Sequence, residues 1–130
     1  MRTILIVEDN PMNMELARDV LEANGYRVRG TTSAGEALQA LQESLPDLIL
    51  MDIQLPGLDG LDLTRTLKQD PGTKDIIVVA MTAHAMKGDR ERCLAWGMDG
   101  YLAKPIRPQE LDEILEQYVA RRMNSSLVGS

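Results

Sequence analysis

Three stretches of the chain are apolar without interruption: Ile4-Leu5-Ile6-Val7, Leu48-Ile49-Leu50-Met51 and Ile76-Ile77-Val78-Val79-Ala80-Met81. They are rich in β-branched residues and do not alternate. That pattern predicts parallel strands covered on both faces, because a strand with one wet face would alternate. Tyr26 to Thr31 does alternate and predicts an edge strand, and Gly100 to Ala103 predicts a short fifth. Between these runs the spacing becomes helical. Asn10-Pro11 supplies a cap and a first-turn proline for a helix whose apolar set is Met14, Leu16, Ala17, Val20 and Leu21, with Gly25 as its stop. Ser33 and Glu36 have capping-box spacing ahead of Ala37, Leu38 and Leu41. Asp59 caps a segment from Leu61 to Lys68, which Asp70-Pro71-Gly72 breaks. Lys87 to Trp96 and Pro108 to Val119 supply helices four and five. Five βα units predict an α/β, doubly wound, five-stranded parallel sheet with helices on both faces through right-handed crossovers.

Composition narrows the class. A chain of 130 residues is one ordinary domain, and 44% apolar with 26% charged residues argues against disorder. With 20 acidic against 14 basic residues the net charge is -6, which disfavours a non-specific grip on nucleic acid or anionic lipid. The single cysteine, Cys93, excludes an internal disulfide and a zinc-ligand cluster; it reads as a small core residue. No apolar run approaches the roughly 20 residues of a membrane span. Met1-Arg2 precedes only a short apolar stretch before Glu8, which does not read as a secretory signal. The expectation is a soluble cytoplasmic domain over 1–122, with the patternless 123–130 a tail or linker.

In open α/β sheets, ligands sit outside the carboxyl ends of the strands. Strand one ends in Glu8-Asp9, strand three in Asp52 and strand four in Thr82; strand five runs into Lys104-Pro105. Singly, each is what a solvated charge or a helix cap looks like. Together they place three carboxylates, a hydroxyl and an ammonium on one rim. Two like charges at about 4 Å repel by about 4 kcal/mol at an effective dielectric of about 20, so the set calls for a cation. Oxygen donors without His or Cys select a hard ion, and the expected one is Mg²⁺. Carboxylate, metal, lysine and hydroxyl are the parts of a phosphoryl-transfer site: nucleophile, charge neutraliser, clamp and donor.

The segments Ile4 to Asn10, Asp47 to Gly60, Met81-Thr82-Ala83 and Gly100 to Pro105 resemble the receiver domain of two-component response regulators over residues 1 to 120. The wording at Asn10 to Met14, Ile53 to Pro56 and Thr82 to Asp89 is similar to the single-domain receivers that act in cell division, and receivers of hybrid sensor kinases share much of it. The resemblance implies a flavodoxin-like fold with strand order 2-1-3-4-5. It implies that Asp52 is the phosphorylated aspartate, with Asp9 a direct Mg²⁺ ligand, Glu8 acting through water and Gln54 giving its backbone carbonyl. Thr82 would bond a phosphoryl oxygen and Lys104 would pair with the phosphoryl group. Tyr101 would be the switch aromatic whose rotamer follows Thr82, and Lys104-Pro105 a cis bond. On this reading the chain is not an enzyme with a turned-over substrate but a phosphoacceptor that assists its own phosphorylation and dephosphorylation. Its partners would be a histidine kinase or phosphotransfer protein near helix one and a protein target on the face of helix four, strand five and helix five, with no direct nucleic acid or membrane contact. The alternative is a receiver belonging to a hybrid kinase or larger regulator, acting as a phosphate relay or sink.

Other classes fit less well. A haloacid-dehalogenase-type hydrolase needs Asp-x-Asp after strand one, and Glu8-Asp9-Asn10 does not match. A flavodoxin-like nucleotide binder needs a Gly- or Thr-rich phosphate loop there, where this chain is acidic. A DNA-binding regulator would need a further helix-turn-helix. Of the remaining residues, His84 reads as an exposed loop residue, Trp96 as packing at the end of helix four, and Met12 and Met14 as adaptable apolar surface near the rim. Arg107 before Pro108 departs from the cap expected there.

Overall fold

The computed structural model describes residues 2–52, 60–82, 89–95, 97–104, 107, 109–114 and 116–117. In chain order these form β1 (Thr3–Val7), α1 (Pro11–Ala23), β2 (Arg27–Thr31), α2 (Ala34–Glu43), β3 (Leu48–Asp52), α3 (Gly60–Gln69), β4 (Ile77–Thr82), α4 (Asp89–Ala95) and β5 (Gly100–Ala103). Helical turns at 109–114 and 116–117 follow, within the fifth helix that the periodicity predicts. The strands pair in parallel in the order β2-β1-β3-β4-β5, as the resemblance implies. The expectations at Gln54, Asp59, His84, Trp96, Pro105, Pro108 and the 123–130 tail lie outside the described residues.

The continuous apolar runs are two-faced, and register shows how. Leu5, Val7, Ile49, Met51, Val78 and Ala80 join one cluster with Ala37 and Leu41 of α2, Leu63 and Leu67 of α3 and Cys93 of α4. The alternate residues Ile4, Ile6, Leu48, Leu50, Ile77, Val79 and Met81 join the other, with Ala17 and Leu21 of α1 and Leu111. Ile4 aligns with Leu48 and Leu48 with Ile77, so each layer crosses three strands in line. A strand buried on both faces has no polar position to spare, which is why the sequence cannot alternate. Truncating Leu50, which is fully buried, would cost about 2–5 kcal/mol.

The helix ends follow local chemistry, with two departures from expectation. The Asn10 side chain accepts from the N–H groups of Met12 and Asn13, and Pro11 opens α1. At the other end Tyr26 N–H donates to Leu21 O and Gly25 N–H to Glu22 O, with Gly25 at φ +88°, a Schellman turn. Within α1, however, Leu16 does not face the core: Met12 and Leu16, one turn apart, are 71% and 56% exposed. Ala17 and Leu21 define the buried stripe, and Leu16 falls a step of about 100° away from it. In α2 the Ser33 hydroxyl accepts from Glu36 N–H as the capping-box spacing implies. Glu36 does not answer Ser33; its carboxylate accepts from the N–H and hydroxyl of Thr32 instead. Those hydrogen bonds, the backbone one foremost, hold the Glu36 carboxyl below its ordinary range.

The edge strand β2 is covered by charge. Arg29 donates to Ala40 O, Ser44 Oγ and Glu43 Oε2, closing the last turn of α2 and blunting the sheet edge. Next to it Gly30 admits the close passage of α1: a Cβ there would lie 2.7 Å from Arg18 Nη2 and 2.9 Å from Met14 Sδ. Tyr26 donates its hydroxyl to Asp112, tying the start of β2 to the C-terminal helical turns.

Candidate functional site

Because all five strands are parallel, every strand delivers its carboxyl end to the same rim. β1 and β3 are neighbours, with Val7 beside Met51, so the residues that follow Val7 stand next to Asp52. β4 lies against the other side of β3, with Met81 beside Asp52, and β5 brings Ala103 beside Thr82 and so Lys104 over the same edge. Carboxylate oxygens of Glu8, Asp9 and Asp52 all fall within 4.8 Å of one another. Glu8, Asp52 and Thr82 are buried, whereas Asp9 is exposed and opens the cluster to solvent.

Lys104 is the counter-charge. Its Nζ lies 2.6 Å from Glu8 Oε2 and 3.4 Å from Asp52 Oδ2, and its N–H donates to Thr82 O. The resemblance implied a phosphoryl group as the partner of Lys104; here Glu8 holds it first and Asp52 second. The other oxygen of Glu8 accepts from Asn10 N–H at 3.2 Å and Asn13 Nδ2 at 3.5 Å. Glu8 is thus gripped on both oxygens, and its own N–H donates to Thr31 O across the β1–β2 boundary. Even so its carboxyl is held above the ordinary range, by burial first; the bond to Lys104 opposes the rise and the nearby Asp52 adds to it. Among the described residues the cluster sets three carboxylates beside the one ammonium of Lys104. An oxygen-only donor set of this charge, with one member open to water, fits a hard divalent cation.

Of the residues singled out in the sequence, Glu8, Asp9, Asp52, Thr82 and Lys104 are brought to the same rim. Tyr101 stands in β5 beside Ala80, half-buried against the α2–α3–α4 cluster, with its hydroxyl buried. Cys93 is in the core as read. The residues the sequence did not mark for the site are Asn10, which reads there only as a helix cap, and Asn13, which has no role there. Their part in holding Glu8 had one signal: both lie within five residues of Glu8, in the turn where β1 hands over to α1.

The chain belongs to the response regulator receiver domain family, whose model matches residues 4–116. It is therefore a signalling domain of the two-component type, and no helix among the described residues is long and apolar enough to cross a membrane. Among particular relatives, the polar-differentiation response regulator DivK of Brucella ovis is 48% identical over 118 residues, covering 91% of this chain and 96% of that protein. The DivK of Brucella anthropi is 47% identical over the same length. A putative response regulator from Chloroflexus aurantiacus superposes with a TM-score of 0.84 at 37% identity, covering 92% of this chain and 98% of that one. The receiver domain of a sensor histidine kinase from Pseudomonas aeruginosa, solved with a magnesium ion in its active-site cleft, superposes with a TM-score of 0.80 at 39% identity, with the same coverage.

Proposed function

We propose that the chain is a phosphoacceptor of a two-component phosphorelay and that Asp52 is the residue phosphorylated. One observation carries this: at the end of the central strand, the Asp52 carboxylate shares a cluster 4.8 Å across with Glu8 and Asp9 and lies 3.4 Å from the Lys104 ammonium. A phosphohistidine donor would lose its N–P bond as Asp52 Oδ forms an O–P bond, and the imidazole would leave with the electron pair. The Thr82 hydroxyl would donate to a phosphoryl oxygen, and Lys104, already between Glu8 and Asp52, would pair with the incoming charge. Asp9 would hold Mg²⁺ directly, Glu8 through water, and Asp52 and the Gln54 carbonyl would complete the protein's share. When bound, Mg²⁺ supplies neutralisation of the carboxylates and of the phosphoryl oxygens. The domain assists its own phosphorylation and dephosphorylation and turns over no separate substrate.

The donor is a histidine kinase or histidine phosphotransfer protein, and the exposed pair Met12 and Leu16 on α1, beside the rim, supports docking there. The output is binding of a protein target on the α4–β5 face and the helix that follows, with Tyr101 at its edge as the switch residue responding to Thr82. The setting is cytoplasmic, and the receiver comprises 1–122 with 123–130 outside it. The likeness to a kinase-borne receiver supports a second reading, in which the domain passes its phosphoryl group on rather than binding a target. Acetyl phosphate with Mg²⁺ should add one phosphoryl group by intact mass, and Asp52→Asn should abolish the gain. Normal labelling of that variant would overturn the assignment.

A further inference from the structure

At the end of the sheet away from the carboxylates, Lys68 near the end of α3 gathers three acceptors. Its Nζ donates to Asp99 Oδ2 at 2.7 Å, Ile76 O at 2.8 Å and Lys74 O at 3.3 Å. Asp99 Oδ2 also accepts from Val78 N–H at 2.9 Å, and Asp99 N–H donates to Val78 O at 2.7 Å. The pair is largely shielded, with the two side chains 21% and 20% exposed. A single ion pair therefore joins the last turn of α3, the α3–β4 connection, the start of β4 and the residue that leads into β5. The adjoining corner is fixed as well. Met98 N–H donates to Cys93 O and Gly97 N–H to Leu94 O, with Gly97 at φ +99°, so α4 ends in a Schellman turn. Cys93 and Met98 are buried in the core beneath it. Gly97 suits the turn because a side chain would be strained at that φ, and a Cβ would press on Lys68 Cγ at 3.3 Å, so the lysine stem would have to give.

One end of α4 is thus bolted to the base of the sheet, while its other end follows Thr82, on the carboxylate rim, through residues 83–88. Carrying α4 away as a body would stretch the Gly97–Leu94 and Met98–Cys93 hydrogen bonds that tie its last turn to this corner. A tilt about that corner breaks none of them. We propose that the Lys68–Asp99 ion pair, with the Gly97 turn, is the fixed pivot of the switch: it converts a displacement at Thr82 into a tilt of α4, so that the output face changes most at its rim end and least at 97–99. Lys68 is on this view a positioning residue far from the chemistry. The proposal rests on the phosphoacceptor reading and adds to it the direction of movement.

The test uses the full chain labelled with ¹⁵N, with and without beryllofluoride and Mg²⁺, which together mimic an aspartyl phosphate. Amide shifts along α4 should fall from Asp89 toward Ala95 and be several-fold smaller at Gly97, Met98 and Asp99. Lys68→Met should raise the shifts at 97–99 to the level of those at 89–91, and Lys68→Arg should restore much of the gradient. The mass gain from acetyl phosphate should be unchanged in both variants. A flat response along 89–99 in the unmodified chain overturns the pivot, whatever the variants do. A Lys68→Met protein that melts earlier but keeps the gradient also overturns it, because the ion pair is then structural only. Asp99→Asn repeats the test should Lys68→Met not fold. Absence of any phosphoryl gain in the unmodified chain overturns the phosphoacceptor reading and the pivot with it, whereas a normal gain with a flat response overturns the pivot alone.

Discussion

The two ends of the parallel sheet treat charge in opposite ways. At the carboxyl rim, Glu8, Asp9 and Asp52 crowd within 4.8 Å with Lys104 as their counter-charge, and Glu8 is held above its ordinary pKa by burial and by its neighbours. At the amino end, Lys68 and Asp99 meet at 2.7 Å and each has further backbone partners. There Asp47 also accepts from Thr3 N–H while its own N–H donates to Thr3 O. The base is built to be stable as it stands. The rim gathers three carboxylates around one ammonium, and on the proposed function an added cation completes it. A group that binds its proton more tightly when folded, as Glu8 does, contributes stability below its ordinary pKa of 4.5 and loses it as pH rises through the raised value. At neutral pH that contribution of Glu8 is gone, and a cation bound at the rim would offset the loss.

The contrast can be broken most forcefully through metal affinity. Asp9→Ala should weaken Mg²⁺ binding about tenfold or more, since even outer-shell partners of a metal carry 10–100-fold. Glu43→Ala, at the far end of α2 in an ion pair with Arg29, should leave it unchanged. Isothermal calorimetry on the two variants checks this, and equal affinities would remove Asp9 from the ligand set. The next effect is one of sign. Removing one carboxylate charge at each end should move stability in opposite directions in metal-free buffer. Asp99→Asn should destabilise by about 1–3 kcal/mol, because it strips Lys68 of its charged partner. Asp52→Asn should stabilise by about 1–3 kcal/mol, since two like pairs at about 5 Å are each worth about 3 kcal/mol at an effective dielectric of about 20, a repulsion the Lys104 ammonium offsets in part. Urea denaturation of both variants decides it. Added Mg²⁺ should raise the stability of the unmodified chain more than that of Asp52→Asn.

The smallest expected effect tests the base by pH. Burial foremost, and then the hydrogen bond to Asp112, push the Tyr26 hydroxyl from 10.0 up to about 12. The folded chain holds this proton more tightly than the unfolded one, so the contribution is complete below pH 10 and is lost as pH rises toward about 12. Tyr26→Phe should remove that part of the alkaline slope while leaving the Mg²⁺ titration of the rim as it was.

Much of this is legible in the sequence. Strand positions, the Asn10 and Ser33 caps, the Gly25 stop and the five rim residues all follow from runs, spacings and strand ends. What was not legible depended on direction or on distance along the chain. Leu16 has the composition of a core residue and the phase of a surface one, and only the stripe set by Ala17 and Leu21 separates the two. Glu36 has two donors within reach, and the extended backbone before α2 decides for Thr32. Lys104 and Glu8 are 96 residues apart, and Lys68 and Asp99 31 apart. No local pattern marks either pair.

The sequence by itself determined the elements and their chemistry, because periodicity, caps and turn residues act over a few positions and need only the chain's own geometry. Which acid meets which cation was decided by the tertiary structure alone. Glu8-Asp9 face Asp52 only because β1 lies between β2 and β3, and Lys104 reaches them only because β5 closes the sheet beside β4. Strand order is a property of crossovers and of packing two apolar layers on one sheet, so the same residues in another order would scatter their charges and leave each of them an ordinary solvated end.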